Sequence, residues 1–196
     1  MRASLKRHAG FSLTELVVAL LVAMILMAVG LPAFLRAYHS YQLSSAANQV
    51  ADVLRLTRYE AIRLNTPVQC LIKPSPRFSG MTEIWADSNA NGLLDPTEKM
   101  ALLGSGGNLV DSGTVPATGA LIANAVGSIA ATAPSPAGTA VSFDARGAVV
   151  PPTNVNVFYL ASSVAPDAGY RAVLLMPAGS IQIWTADGGG NWQQQR

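Results

Sequence analysis

The sequence is poor in charged residues and nearly free of cysteine. Only 12% of its 196 residues are Asp, Glu, Lys or Arg, whereas soluble domains usually contain about 25%. The single cysteine, Cys70, excludes an intrachain disulfide, and we interpret it as a small buried residue of a strand. These shortages argue against a disulfide-stabilised scaffold and against a highly charged binding surface.

Charge is also distributed unevenly along the chain. Of the 13 Lys and Arg, three precede Gly10, whereas all 11 Asp and Glu follow it. The part after Gly10 therefore has one more acid than bases, although the whole chain has a net charge of +2. Because nucleic-acid affinity comes from clustered Lys and Arg, this near neutrality argues against general nucleic-acid binding.

What the sequence does contain is a long apolar run at residues 11–31. Its only strongly polar side chains are those of Ser12, Thr14 and Glu15. A helix of this length covers roughly 30 Å, the hydrocarbon thickness of a bilayer, and is longer than the apolar core of about 7–15 residues in a cleaved secretory signal. We therefore favour a retained transmembrane helix over a removed signal.

Orientation follows from the basic residues that precede the run. Arg2, Lys6 and Arg7 lie before it, and no acid lies before Glu15. Positive charge favours the cytoplasmic side of a membrane, so we expect the N-terminus in the cytoplasm and the C-terminal bulk outside it.

A glycine separates this basic leader from the apolar run, and an acid lies at the fifth position after it. The stretch from Lys6 to about Pro32 resembles the type III signal of type IV pilins and pseudopilins. The resemblance implies that prepilin peptidase cleaves after Gly10, removing residues 1–10, and N-methylates Phe11. It also implies other pilins or pseudopilins and an inner-membrane assembly platform as partners. The chain would span the inner membrane once, with its C-terminal domain in the periplasm.

Glu15 and Gly10 each have a physical interpretation beside the resemblance. Gly10 has no Cβ, which allows a protease to approach the backbone closely. An unpaired acid one turn inside the apolar segment costs roughly 2.5–3.5 kcal/mol, so Glu15 needs a partner. The α-amino group of Phe11 on a neighbouring subunit has the right charge. The alternative is that Glu15 reaches the lipid headgroups.

Pro32 removes one backbone donor and is expected to bend or loosen the helix without ending it. Residues 11–32 form the predicted transmembrane segment. Residues 33–66 continue as an amphipathic helix, because apolar residues recur at spacings of three and four up to Thr66-Pro67. A long coiled coil is the alternative, but this second part has no strict heptads.

Beyond Pro67, short β-rich runs alternate with turn residues, which predicts a β-rich domain over 67–187 and a flexible tail over 188–196. A helix laid on an antiparallel sheet is an α+β fold. The turns are Asp144–Gly147 and Pro177–Gly179, and residues 104–138 are predicted to hold one strand near Leu109. The other predicted strands are Val68–Ile72, Thr82–Ala86, Met100–Leu103, Thr139–Phe143, Val155–Ala161, Ala172–Met176 and Ser180–Thr185.

Four segments of the chain resemble the GspH/FimT group within the pilin superfamily. They are LRLTRYEAIRLNTPV, EIWADSNANGLLDPTE, VSFDARGAVVP and YRAVLLMPAGSIQIW. In that group, GspH-like members are minor pseudopilins of type II secretion and FimT-like members are minor pilins of type IV pili. The resemblance implies a non-enzymatic structural subunit, with no required cofactor, of either a secretion pseudopilus or a pilus.

The loop from Asp87 to Glu98 fits the oxygen-ligand spacing of a calcium loop. Two interpretations stay open: a calcium site, or a hairpin turn built on Asn-Ala-Asn-Gly. A membrane-tethered calcium module acting alone is a further hypothesis. The candidate ligands are Asp87, Asn89, Asn91, the Leu93 carbonyl, Asp95 and Glu98.

DNA binding is the main functional alternative, because some FimT-like pilins take up DNA through a Gly-Arg-x-Arg stretch. Here the corresponding residues are Gly179-Ser180-Ile181-Gln182, without either arginine. Only a small patch of Arg146, Arg171 and Arg196 could serve. Enzyme chemistry has little support, since His39 is the single histidine after the leader and Gly104-Ser105-Gly106-Gly107 lacks the Lys of a phosphate loop.

Overall fold

The computed structural model describes residues 12–111, 114–115, 130–132, 139–152 and 154–195. Gly10, Phe11, Arg196 and the basic leader lie outside these ranges, as does most of the 104–138 segment. The chain divides into two compact units, Met1–Ala37 and Tyr38–Arg196.

Helix α1 extends from Leu13 to Leu64, with Pro32 inside it. It ends because Asn65 adopts a left-handed conformation, with φ of 51°. The amide of Thr66 then donates to the Ala61 carbonyl at 3.3 Å, and the amide of Asn65 donates to Ile62, which is the Schellman arrangement. The predicted end near Asn65 is confirmed, and Asn65 itself contributes to it.

Eleven strands follow among the described residues. The first six are β1 Val68–Pro74, β2 Thr82–Asp87, β3 Met100–Leu103, β4 Asn108–Val110, β5 Ala130–Thr132 and β6 Thr139–Phe143. The others are β7 Val149–Val150, β8 Asn154–Ala161, β9 Tyr170–Leu175, β10 Ile181–Ala186 and β11 Trp192–Gln194. All the predicted strands are present, and the predicted turns join β6 to β7 and β9 to β10.

The strands form two sheets. One has the order β3-β2-β1-β6-β7 and the other β11-β10-β9-β8-β4. Both are antiparallel, except that β5 pairs with β8 in parallel. The predicted α+β class is confirmed, with two sheets in place of a single one.

The main core lies between the second part of α1 and the two sheets. The helix contributes a stripe of buried residues: Leu43, Ala46, Ala47, Val50, Ala51, Val53, Leu54, Thr57 and Ala61. Against this stripe pack Cys70 and Phe143 from the first sheet and Phe158 and Val173 from the second. Two residues of the predicted apolar pattern, Leu35 and Leu64, stay exposed.

The chain end differs from the expected flexible tail. Residues Trp192–Gln194 form β11 and pair with β10, so that Ala186 lies opposite Trp192. The Trp192 ring packs edge-on against Tyr159, with ring centroids 6.1 Å apart. Tyr159 belongs to a second apolar cluster on the other face of the second sheet, and burial of the indole there explains why this segment is ordered.

Candidate functional site

The candidate assembly segment is the part of α1 from residue 13 to residue 35. Every large apolar side chain in it is exposed, from 44% at Leu35 to 80% at Leu13. The helix is long and apolar enough to cross a membrane. Leaving such a surface in water is unfavourable by about 25 cal/mol per Å² of apolar area, so the segment requires lipid or other helices around it.

The start of this helix is set by Ser12. The Ser12 hydroxyl accepts a hydrogen bond from the Glu15 amide at 3.2 Å, and the Ser12 carbonyl accepts one from the Leu16 amide at 3.1 Å. Ser12 and Glu15 therefore have the Ser-x-x-Glu spacing of a helix N-terminal capping pattern. This role of Ser12 was not predicted, although the Ser-x-x-Glu spacing is visible in the sequence.

Glu15 is exposed in the first turn of α1. A carboxylate in this position is favoured by the partial positive charge of the helix N-terminus. Within the described ranges, no Lys or Arg side chain forms an ion pair with it. Because Phe11 lies outside these ranges, pairing between Glu15 and the amino group of Phe11 stays a prediction.

Pro32 lies in the middle of an unbroken helical segment, as predicted. The proline cannot donate to the preceding turn. On its C-terminal side, the Arg36 Nε donates to the Pro32 carbonyl at 3.4 Å. The Arg36 side chain therefore contacts the helix backbone one turn earlier, at the end of the exposed apolar segment.

The loop between β2 and β3 contains the predicted calcium ligands. The buried carboxylate of Asp87 accepts hydrogen bonds from the amides of Asn91 at 3.1 Å and Gly92 at 2.9 Å. The Glu98 carboxylate accepts from the amides of Ser88 at 2.9 Å and Asp95 at 3.2 Å. These contacts place the first and last predicted ligands at the two ends of one closed loop.

Other predicted ligands also bond inside this loop. The side-chain amides of Asn89 and Asn91 both donate to the Asp95 carboxylate. The amide of Leu93 donates to the Asn91 side-chain oxygen at 2.8 Å, and Lys73 binds the Gly92 carbonyl. In the described part of the chain, no three Asp, Glu, His or Cys side chains converge as metal ligands. The hydrogen bonds within the loop hold it in its described shape.

Arg146 and Arg171 of the candidate DNA-binding patch lie in different environments, and Arg196 lies outside the described residues. Arg146 is exposed in the turn between β6 and β7. Arg171 is only 6% exposed, and its guanidinium donates to Ser40 and Ser44 of the helix. Arg171 was wrongly expected in an exposed patch, because the sequence does not show that the helix covers it.

Charged side chains on the second part of α1 pair with one another or contact the domain. Arg63 pairs with Glu60 at 2.6 Å, and the hydrogen bonds that Arg63 donates to the Glu60 carboxylate raise the pKa of Arg63. Arg55 pairs with Asp52 in the same way. Arg58 instead donates to the Gly179 carbonyl at 3.1 Å, so it holds the β9–β10 turn against the helix.

Two family models match this chain, and together they cover both parts of the helix. The model for Type II transport protein GspH matches residues 46–179, which is more than half of the chain. The chain belongs to the GspH family. The model for the prokaryotic N-terminal methylation motif matches residues 5–31 of this family member. The chain is therefore a member of the pilin and pseudopilin superfamily.

The GspH-family chain is also similar to solved structures of the type IV minor pilin FimU from Pseudomonas aeruginosa. One crystal form has a TM-score of 0.48 at 16% identity, and covers 80% of this chain and 94% of FimU. Another has a TM-score of 0.46 at 18% identity, covering 79% and 98%. No curated protein matches this chain.

Membership of this family establishes the general role of the chain. It is a structural subunit of a pilus or pseudopilus. The family also implies processing by prepilin peptidase and assembly with other pilins. The exposed apolar segment at residues 13–35 suits a subunit that is anchored in the inner membrane before it assembles.

Proposed function

We propose that this chain is a minor pseudopilin that assembles into a type II secretion pseudopilus through the first part of α1. The observation that carries this proposal is the exposed apolar surface of residues 13–35, joined to a helix whose second part is already buried in its own domain. Most of the exposed apolar surface of the helix lies in this first part and is available to neighbouring subunits. The GspH family match supports type II secretion, and a type IV pilus is the alternative machine.

Maturation is the first step of this function. Cleavage after Gly10 and N-methylation of Phe11 are supported by the motif match at residues 5–31. Removal of the leader gives Phe11 a free amino group, while the apolar helix stays in the membrane. The remaining domain lies in the periplasm, since Arg2, Lys6 and Arg7 precede the helix.

Assembly is the second step. Glu15 lies in the first turn of the helix, and an acid in this apolar setting needs a cation. Its proposed partner is the amino group of Phe11 on an adjacent subunit. This pairing would set the axial position of one helix against the next, while most of the association energy comes from apolar helix packing.

Mass spectrometry of the N-terminus tests the maturation step. Co-expression with prepilin peptidase should yield a chain that begins at a methylated Phe11. Gly10→Leu should leave the leader attached, because the larger side chain hinders approach of the peptidase. Gly30→Ala is the matched control, since an added Cβ there meets no described atom within 4 Å. Cleavage of Gly10→Leu at the normal rate would refute this step.

Secretion and pilus phenotypes separate the two machines. Loss of the gene should reduce secretion of type II substrates and leave pili intact. Loss of pili with normal secretion would assign the chain to the type IV pilus. DNA uptake is not proposed, because Arg171 is buried and residues 179–182 lack arginine.

Calcium binding by the loop from Asp87 to Glu98 stays a prediction beside this function. Calorimetry of the full chain with Ca²⁺ distinguishes the calcium site from the simple turn. Saturable heat that Asp87→Asn removes would support a calcium site, since calcium takes carboxylate oxygens. No heat at millimolar Ca²⁺ would leave the loop as a hairpin connection.

A further inference from the structure

A row of polar side chains interrupts the apolar face of the second sheet beneath α1. Arg171 of β9 lies opposite Thr185 of β10, and Thr185 lies opposite Gln193 of β11. Two residues further along β9, on the same face, Val173 belongs to the main core. The sheet therefore changes from apolar to polar at the end where it meets helix residues 40–44.

Arg171 is the most deeply placed member of this row. It is 6% exposed, and its Nε donates to Ser44 Oγ at 3.1 Å. One Nη group donates to Ser40 Oγ at 2.9 Å and the other to the Tyr170 carbonyl at 2.9 Å. All three acceptors are neutral, so they orient the guanidinium without neutralising its charge.

The guanidinium has capacity left for another ligand. An arginine side chain has five N–H donors, and the described contacts use three of them. Within the described residues, no carboxylate lies within 4 Å of it as an ion pair. Burial lowers the pKa of Arg171 because it disfavours the charged form. A buried cation without a counter-ion is costly, which favours binding of an anion.

Space for such an anion lies next to Arg171. A cavity of about 290 Å³ is lined there by polar residues, among them Ser40, Thr185, Asn191 and Gln193. The Ser40 hydroxyl and the Gln193 side-chain amide can donate hydrogen bonds beside the guanidinium, whereas the Thr185 hydroxyl donates to the Gln193 carbonyl and the Asn191 amide to Asp187. Since Ser40 and all the other lining residues belong to the unit Tyr38–Arg196, the cavity is formed within one compact unit.

We propose that this cavity binds a carboxylate group against the guanidinium of Arg171. A planar carboxylate suits this site because it can accept both remaining N–H bonds of the arginine in parallel. The carboxylate would come from an acidic side chain of a neighbouring subunit or from a small solute. Binding of an acidic side chain from a neighbouring subunit rests on the proposed assembly function. Carboxylate binding itself does not, because it can be measured on the unassembled chain.

The carboxylate of Asp187 makes it possible to test whether the cavity binds a negatively charged group. Asp187 lines the same cavity, and its carboxylate accepts from the Asn191 side chain at 2.8 Å and the Gly189 amide at 3.0 Å. Hydrogen bonds from Asn191 lower the pKa of Asp187, so the group stays negative at neutral pH. It opposes an incoming anion, and Asp187→Asn should therefore tighten carboxylate binding.

The direct measurement follows the Arg171 Nε–Hε resonance of the full chain in detergent micelles. Acetate is added at constant ionic strength, with sodium chloride replacing it in the control. We expect a saturable shift in the wild type and, because a like charge is removed, about threefold tighter binding in Asp187→Asn. Loss of the resonance in Arg171→Gln identifies it as the Nε–Hε signal of Arg171. The comparison of binding between the wild type and Asp187→Asn stays valid even if Arg171→Gln does not fold.

A second probe separates the two sources. A blocked glycine peptide with one central glutamate presents the carboxylate as a subunit side chain would. Tighter binding of this peptide than of acetate would assign the site to a neighbouring subunit, and exclusion of the peptide would assign it to a small solute. If neither probe gives a saturable shift beyond the chloride control, the proposal is wrong. Weaker binding in Asp187→Asn would also contradict it.

Discussion

The two parts of helix α1 share one backbone conformation but have opposite surroundings. In residues 13–35 the large apolar side chains are exposed, whereas in residues 43–61 an apolar stripe is buried against two sheets. The first part is apolar on all sides and the second is amphipathic. A helix that is apolar all round needs a partner outside its own chain. The difference assigns the first part to anchoring and assembly and the second to folding of the domain.

Leucine-to-alanine substitutions should give the largest difference in domain stability between the two parts of α1. Leu54 is fully buried, and Leu54→Ala should lower the free energy of unfolding by about 2–5 kcal/mol through lost contacts and a cavity. Leu26 is 67% exposed, and Leu26→Ala should leave the domain unchanged because alanine also favours a helix. Denaturant unfolding of the full chain in micelles, followed by tryptophan fluorescence, measures both. Equal losses of unfolding free energy in Leu54→Ala and Leu26→Ala would contradict the distinction between the two parts.

Alanine substitutions at two glycines test how closely the β9–β10 turn packs against Gly147 and against Arg58 of α1. Gly179 and Gly92 both have positive φ, at 78° and 72°. A Cβ on Gly179 would lie 2.2 Å from the Gly147 carbonyl, next to Arg58, whereas one on Gly92 meets no described atom within 4 Å. Gly92→Ala should therefore cost about 1–2 kcal/mol of stability, and Gly179→Ala about 1–3 kcal/mol more.

The same unfolding measurement compares these two variants. Both changes place alanine in a left-handed conformation, so their difference reports the close contact with Gly147. Equal destabilisation would show that the β9–β10 turn does not pack tightly against its neighbours.

The reaction rate of the Cys70 thiol reports locally on how tightly the domain is packed, with a smaller expected effect. It lies fully buried in β1, and burial raises the pKa of its thiol to about 12. Because the raised pKa keeps the thiol protonated, iodoacetamide should react with it very slowly at pH 8. Labelling should become fast in denaturant, and Leu54→Ala should accelerate it under native conditions. Fast labelling of the folded wild type would contradict this burial.

Sequence patterns predicted much of the fold because they depend on local periodicity and turn chemistry. The end of α1, the strands of the domain and the turns at 144–147 and 177–179 follow from such patterns. The division into two sheets does not, because it depends on pairings between strands that are distant in the sequence, such as β1 with β6 and β4 with β8. The strand at Trp192 depends in the same way on burial against Tyr159.

The candidate sites were predicted less completely. Glu15 was found because a carboxylate in an apolar run is conspicuous, and the Ser12 cap beside it was missed. The burial of Arg171 and the contact of Arg58 with the β9–β10 turn could not be predicted, since alternation in a strand or helix shows a face but not what covers it. Their contacts with Ser44 and Gly179 join segments more than 100 residues apart, which no local pattern shows.

The most direct test of the account is the assembly of Glu15→Val in the native host. Membrane fractions and the sheared filament fraction are compared with those of the wild type, and Glu60→Gln in the second part serves as the control. We expect Glu15→Val to insert and to be processed normally, but to enter filaments roughly tenfold less or worse, because the amino group of Phe11 loses its proposed partner on the adjacent subunit and the axial position is no longer set. Glu60→Gln should assemble like the wild type. Normal assembly of Glu15→Val would contradict the account.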